Sequence, residues 1–278
     1  MQLAHRVALI TGAGRGIGRA MALAYAKEGA RLALAARTVS ELQETAHLTE
    51  ALGAPTSVIG TDVADPAQVE AMVRHTLAQF STIHILVNNA AILGPVEPLW
   101  ETDIAAWMQT IQVNLMGTYL CCRAVLPVML AQHYGKIINV TSGARVRGSA
   151  AFIRRHQTAY YASKAAIAQL TELLAYQVRH QPIQVNAMSP GGRTRMTEGL
   201  VAQAQALGDS DLVASTQQVI AADPRERSAA LAVFLASDAS GTLSGRVLSH
   251  ADDFDTLASR IAGIMASDAY TLRRVEEK

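Results

Sequence analysis

The stretch TAYYASK, residues 158–164, places two tyrosines just ahead of a lysine. A phenol ordinarily ionises near pH 10, which makes it a poor proton donor at neutral pH. A nearby ammonium favours the phenolate, and Lys164 is positioned in sequence to supply one. Moving a phenol from about 10 to about 7 takes roughly 4 kcal/mol of differential stabilisation. Such a phenol can protonate an oxygen on which negative charge grows, as happens when a hydride reaches a carbonyl carbon. On a helix Tyr160 is four residues and Tyr161 three residues before Lys164, so both neighbour it. An amphipathic helix with an exposed lysine and half-buried tyrosines makes the same pattern, and spacing alone does not choose between the tyrosines.

A second constellation lies at the start of the chain. TGAGRGIG, residues 11–18, follows the apolar run RVALIT and precedes the helical RAMALAYAKEG. Ile17 stands where the general G-x-G-x-x-G pattern needs its last glycine, so the spacing is Gly12, Gly16, Gly18. The physical requirement is the same: a tight turn, close backbone approach to a pyrophosphate, and a helix N-terminus aimed at it. An acidic residue about 20 positions further on would hold the ribose hydroxyls of NAD. The second apolar run ends AART, which puts Ala36 and Arg37 there instead. Arg37 can pair with a 2′-phosphate and Arg15 is a second cation for it, so NADP is the expected cofactor, with NAD the alternative.

The elements that must position these residues alternate. RVALIT (6–11), RLALAA (31–36), TSVIG (56–60), HILVN (84–88), KIINVTS (136–142) and IQVNAMS (183–189) read as buried strands. Helices follow them, with openings near Thr38 or Ser40, Pro66, Asp103, Thr158 and Pro224 and a stop at Gly29. Apolar strands separated by helices predict a parallel sheet covered on both faces, and right-handed crossovers make it doubly wound.

Together these motifs resemble the classical short-chain dehydrogenase/reductase family. T-G-x-x-x-G-x-G is its glycine loop, and Asp62–Val63 stands where the family places an aspartate at the adenine. NNAA (88–91) resembles its N-N-A-G, with Ala91 for glycine; Val113–Asn114 matches its asparagine helix; NVTS (139–142) ends a strand in Ser142. YYASK fits Y-x-x-x-K, and SPGGRTRM (189–196) resembles P-G-x-x-x-T with one residue fewer. The motifs occur in family order over roughly residues 6–247.

The resemblance implies a Rossmann-type single domain of about seven parallel strands, with residues 1–248 as the NADP-binding catalytic domain and a substrate lid near 195–222. Residues 249–278 would be a helical extension of the same domain. It implies an NAD(P)-dependent oxidoreductase that moves a hydride between nicotinamide and a carbonyl or secondary alcohol. Tyr160 is then the acid/base, Ser142 bonds the substrate oxygen, Lys164 also holds the cofactor's ribose, and Asn114 helps hold a proton-relaying water. Cofactor contacts are implied for Thr11, Gly12, Arg15, Gly16, Ile17, Gly18, Arg37, Asp62, Val63, Asn89, Tyr160, Lys164, Pro190, Gly191 and Thr194. A catalytically idle cofactor-binding regulator or scaffold is the alternative, since fold does not fix function.

Three departures stand out. Ser142 and Tyr160 are further apart than the family's usual spacing, and the extra stretch carries Arg145, Arg147, Arg154 and Arg155. These arginines read either as solvated charges or as a cover over the site that attracts an acidic substrate. The tail SGRVLSHADDFDTL replaces the family's usual V-D-G-G, which leaves oligomer geometry open. Its Asp252, Asp253 and Asp255 read as a helix N-terminus rather than a metal site, and no metal is expected.

Composition sets the outer bounds. The chain has 278 residues, half of them hydrophobic, and a net charge of +1. That is enough to build a large core, and it gives no electrostatic case for nucleic acid or an anionic membrane. No run of 18 apolar residues occurs, so a transmembrane helix is not expected. Adjacent Cys121 and Cys122, with no CxxC, suggest a reduced, cytoplasmic setting. A small-molecule substrate and a homo-oligomer, dimer or tetramer, complete the expectation.

Overall fold

Seven short apolar runs pair side by side into one parallel sheet. The structure, a computed structural model, describes residues 1–142, 157–254 and 256–272. The strands are β1 (Val7–Thr11), β2 (Arg31–Ala36), β3 (Thr56–Gly60), β4 (Ile85–Asn88), β5 (Gly135–Val140), β6 (Ile183–Ser189) and β7 (Val247–Ser249). Their order is β3-β2-β1-β4-β5-β6-β7, with every pairing parallel. The chain therefore starts in the middle, winds to one edge, and returns past β1 to build the other half. That reversal between β1 and β4 opens a crevice at the carboxyl ends of the strands, the general ligand position in such sheets.

The helices are α1 (Gly16–Lys27), α2 (Val39–Glu50), α3 (Pro66–Phe80), α4 (Ile104–Ile111), α5 (Gly117–Ala131), α6 (Thr158–Gln177), α7 (Arg195–Ala206), α8 (Ser210–Ala222), α9 (Arg225–Ala236) and α10 (Leu257–Met265). Strand alternation sorts them into two layers. Ala8 and Ile10 of β1 face a core completed by α1, α2, α9 and α10, through Met21, Leu42, Leu231 and Ile261. Val7 and Leu9 face the opposite core with Met72, Val125 and Met129 of α3 and α5. Burial on both faces is what a run such as RLALAA requires.

Local chemistry explains the helix starts. Asp65 accepts bonds from the Ala67 and Gln68 amides, with Pro66 opening α3. Asp103 caps α4, Asp209 caps α8, and Thr194 with Thr197 forms a reciprocal capping box on α7. At α1 and α2 no side chain caps the first turn. Between α4 and α5 the helix widens into a π turn, Gln112–Met116, that joins them into one run. Ile104–Ala131 is long and apolar enough to cross a membrane by length and composition. Here its Val113, Leu120, Cys121 and Val125 belong to the core beneath the sheet.

The tail differs from the expected pattern. Residues 247–249 do form an edge strand, extended when the Val247 amide donates to the Tyr270 carbonyl at 2.9 Å. Helix α10 begins at Leu257, so Asp252 and Asp253 precede it rather than occupy its first turn. The Asp252 carboxylate accepts from the Ser249 amide at 2.7 Å and Asp253 from the Thr256 hydroxyl at 2.9 Å. Asp255 lies outside the described residues. Phe254, Leu257, Ile261 and Ile264 pack into the main core.

A buried polar ladder ties the sheet to two helices. Asn88 of β4 donates to Asn139 Oδ1 of β5 at 2.9 Å and to Cys122 Sγ of α5 at 3.2 Å. Asn139 in turn donates to Thr171 Oγ1 of α6 at 2.9 Å. Removing its centre leaves Asn88 Nδ2 only the weaker Cys122 acceptor and Thr171 only its bond to the Ile167 carbonyl, and loss of buried hydrogen bonding costs about 1–3 kcal/mol. Asn139→Ala is expected to lower the unfolding free energy by about 2–4 kcal/mol in a urea titration.

Candidate active site

The crevice between β1 and β4 is held at its base by one side chain. Asn89 Nδ2 donates to the Thr11 carbonyl at 3.0 Å and the Gly12 carbonyl at 3.1 Å. Thr11 Oγ1 accepts from the Asn89 and Ala90 amides, both at 3.1 Å, and donates to the Val87 carbonyl at 3.3 Å. A side-chain carbon on Gly12 would meet Asn89 Nδ2 at 2.8 Å, and Gly12 also has φ +65°. A side-chain carbon on Gly18 would overlap the Gly12 carbonyl oxygen. Glycine is thus required at both positions by contact and, at Gly12, by backbone conformation.

This cradle fits a dinucleotide. The uncapped N-terminus of α1 ends at Gly16 with no acidic residue in its first turn, which leaves amide donors for a pyrophosphate. Ile17 is partly buried beside Gly192. Gly191 is locked by Ser228, whose hydroxyl accepts from its amide at 2.9 Å and donates to its carbonyl at 2.8 Å. Thr194 caps helix α7 and lies against Gly16, so the glycine loop, Pro190–Gly191 and the start of α7 adjoin one another. On the other side, Asp62 makes a tight turn to the Ala64 amide, 3.0 Å, and Val63 packs on Gly117. Arg37 is exposed at the end of β2, and Arg15 pairs with Glu41.

The second constellation forms where β5 ends. Ser142 follows that strand, and α6 carries Tyr160 and Lys164 back over it. Lys164 is 3 % exposed; its Nζ donates to the Val140 carbonyl at 2.7 Å and lies 5.7 Å from the centre of the Tyr160 ring. The Thr141 hydroxyl donates to the Lys164 carbonyl at 2.8 Å, pinning α6 to the strand end from the opposite direction. The Tyr161 ring meets that of Tyr160 edge to face, with centroids 5.4 Å apart.

Burial shifts both ionisable groups of this site. Burial holds the Lys164 ammonium down to about 8. Burial likewise pushes the Tyr160 phenol above its ordinary range; Tyr161 adds to the rise, and a hydrogen bond with Ser142 opposes it. Among the causes of this rise desolvation is the largest.

Asn114 is held by protein partners on two segments. It is fully buried in the π turn. Its amide accepts from the Ile92 amide at 2.8 Å and donates to the Ile92 carbonyl at 3.0 Å and to Ser163 Oγ at 3.1 Å. Ser163 donates to the Tyr160 carbonyl at 2.6 Å. Asn114 therefore clamps the loop after β4 to the tyrosine helix. Ser163, Thr141 and Glu41 escaped the sequence reading; only Ser163, one helical turn from Tyr160, had a spacing that could have flagged it. The four arginines between Ser142 and Tyr160 lie outside the described residues. A cleft of about 230 Å³ lined by Leu99, Thr102, Ile104, Trp107 and Met108 includes none of the expected site residues.

A dinucleotide cradle at the switch point, with a serine, tyrosine and lysine at the end of β5, defines a nicotinamide-dependent oxidoreductase of the doubly wound class. The short chain dehydrogenase family model matches residues 6–205, and the chain belongs to that family. It is 34 % identical over 253 residues to 1,6-dihydroxycyclohexa-2,4-diene-1-carboxylate dehydrogenase of Acinetobacter baylyi, covering 88 % of this chain and 94 % of the relative. It is 36 % identical over 248 residues to cis-4-hydroxycyclohexanecarboxylate dehydrogenase of Sinomonas cyclohexanicum, again covering 88 % and 94 %. Among solved structures, levodione reductase superposes with a TM-score of 0.80 at 30 % identity, over 92 % of this chain and 99 % of that one. NAD⁺-bound xylitol dehydrogenase gives 0.80 at 28 % identity, over 90 % and 98 %. The protein is thus an NAD(P)-dependent oxidoreductase acting on small molecules, and these relatives give no support to an idle scaffold.

The buried lysines make stability depend on pH. Lys164 and the β5 residue Lys136 both sit at about 8 when folded, against 10.5 when exposed, each lowered chiefly by burial. Between those values the unfolded chain binds more protons, so their contribution makes the folded state more stable as pH rises from about 8 to about 10.5. Lys164→Met is expected to remove part of that slope in urea titrations across the window, leaving the part from Lys136.

Proposed function

We propose that the chain transfers a hydride between NADP and a secondary alcohol or carbonyl, with Tyr160 as the acid/base. The convergence of Ser142, Tyr160 and Lys164 at the end of β5 carries this reading. The bound nicotinamide supplies or accepts the hydride. Ser142 orients the substrate oxygen by a hydrogen bond, and Tyr160 gives that oxygen its proton in reduction or takes it in oxidation. Lys164, held by Val140, supplies a fixed positive field beside the phenol, and its ammonium is a donor for the ribose hydroxyls. Asn114 acts through Ser163 and Ile92 to hold the tyrosine helix in register.

Two relatives named for hydroxylated ring carboxylates and one for a ring dione support a cyclic alcohol or ketone as substrate. Arg37, exposed and without an ion pair among the described residues, supports NADP over NAD. A homo-oligomer is supported by apolar side chains left open on α4 and α6: Ile104, Met108, Leu173 and Tyr176 are 79, 56, 55 and 65 % exposed. The free thiols of Cys121 and Cys122 suit a reducing, cytoplasmic setting.

Tyr160→Phe is expected to reduce turnover at least 100-fold (an effect on the order of general acid catalysis), while Tyr161→Phe keeps most of it. Absorbance at 340 nm against a panel of cyclic ketones reads both, with circular dichroism to verify folding; the reverse pattern would move the role to Tyr161. For the cofactor, Arg37→Asp is expected to weaken NADPH binding about tenfold or more and NADH binding less. Tighter NADH than NADPH binding by the unaltered protein would overturn the NADP preference.

A further inference from the structure

One carboxylate joins three of the elements that border the cofactor cleft. Glu41, in the first turn of α2, accepts on Oε1 from Arg15 Nη1 at 3.0 Å and from Arg195 Nη1 at 2.8 Å. Arg15 belongs to the glycine loop and Arg195 is the first residue of the lid helix α7. The Glu41 side chain is only 16 % exposed, whereas the two guanidinium side chains are 51 and 65 % exposed. Its position is enforced from behind: a side-chain carbon on Gly14 would lie 2.9 Å from Glu41 Cβ, so the loop and α2 are already in close contact. The lid touches the same loop through Thr194 and Gly16. Arg37, four residues before Glu41, has no hydrogen bond or ion pair among the described residues, while Arg15 already shares the Glu41 carboxylate with Arg195.

We propose that Glu41 sets the discrimination between NADP and NAD by holding Arg15 away from the 2′-phosphate and tying it to the lid through Arg195. This rests on the cofactor reading above. A phosphate dianion beside Arg37 has to recruit Arg15 from a carboxylate that it also repels. The unphosphorylated cofactor asks nothing of Arg15 and leaves the three-way contact intact. Glu41 thus weakens binding of the phosphorylated cofactor selectively. Exposed ion pairs are individually weak, so the effect is one of moderate selectivity rather than exclusion.

Calorimetric titration of NADPH and NADH into four proteins tests it: the unaltered chain, Glu41→Gln, Arg15→Met, and the double variant. Glu41→Gln is expected to tighten NADPH about threefold to tenfold and to change NADH less than about twofold. In the Arg15→Met background the same substitution is expected to change the NADPH/NADH ratio less than about twofold, because no arginine remains to be released. Glu41→Ser should act in the same direction as Glu41→Gln, which keeps the test intact should the amide destabilise α2. An unchanged ratio in Glu41→Gln, a weaker NADPH affinity, or an equal shift without Arg15 would each overturn the proposal. The ratio in the unaltered protein tests the NADP preference separately, since Glu41 is read from the change in that ratio.

Discussion

The bond from the Lys164 ammonium to the Val140 carbonyl is the contact on which the site depends. It places a cation in a position with 3 % exposure, where the group is held only because a strand end offers it an acceptor. Thr141 answers from the next residue by bonding the Lys164 carbonyl. These two bonds fix the rotation of α6 over β5, and that rotation brings Tyr160 beside Ser142. Asn114 reinforces the same helix from the far side through Ser163, using a π turn to reach it. The Asn139–Thr171 bond does so two turns further along. The sheet end, not the helix itself, sets the geometry.

The cofactor half is organised by a separate constraint. Asn89 gathers the carbonyls of Thr11 and Gly12, and the glycine positions permit contacts that any side chain would block. The first turn of α1 is then left without a side-chain cap. Uncapped starts also occur at α2, α6, α9 and α10; what sets α1 apart is that its start follows the glycine loop, with no acidic residue in its first turn. Both halves meet because the strand order reverses between β1 and β4.

Much of this was legible in the sequence. RLALAA, TSVIG and IQVNAMS match their strands residue for residue; β2 and β6 are buried on both faces, whereas β3 is a partly buried edge strand. Pro66 and Asp103 mark helix starts through their own capping or backbone chemistry, and Thr158 opens α6 as its first residue. What escaped depends on contacts between distant segments. Glu41 meets an arginine 154 residues away, which no local pattern encodes. The π turn has no sequence signature comparable to a proline or glycine. Strand β7, three residues long, is too short for periodicity to register. Burial at Tyr160 is hidden for a related reason: spacing reveals that Lys164 is near, but not that both groups are desolvated together.

Direct transfer of a hydride at this site is the central claim, and an isotope label tests it without relying on rates. NADPH carrying deuterium at C4 of the nicotinamide, in each of its two stereochemical forms, is incubated with the protein and a cyclic ketone that it reduces, and the product alcohol is analysed by mass spectrometry and NMR. One form is expected to deliver a single deuterium to the carbinol carbon and the other none, with the hydroxyl proton drawn from solvent. Deuterium appearing in neither product, or equally from both forms, would contradict a fixed cofactor passing its hydride to a substrate held by Ser142 and Tyr160.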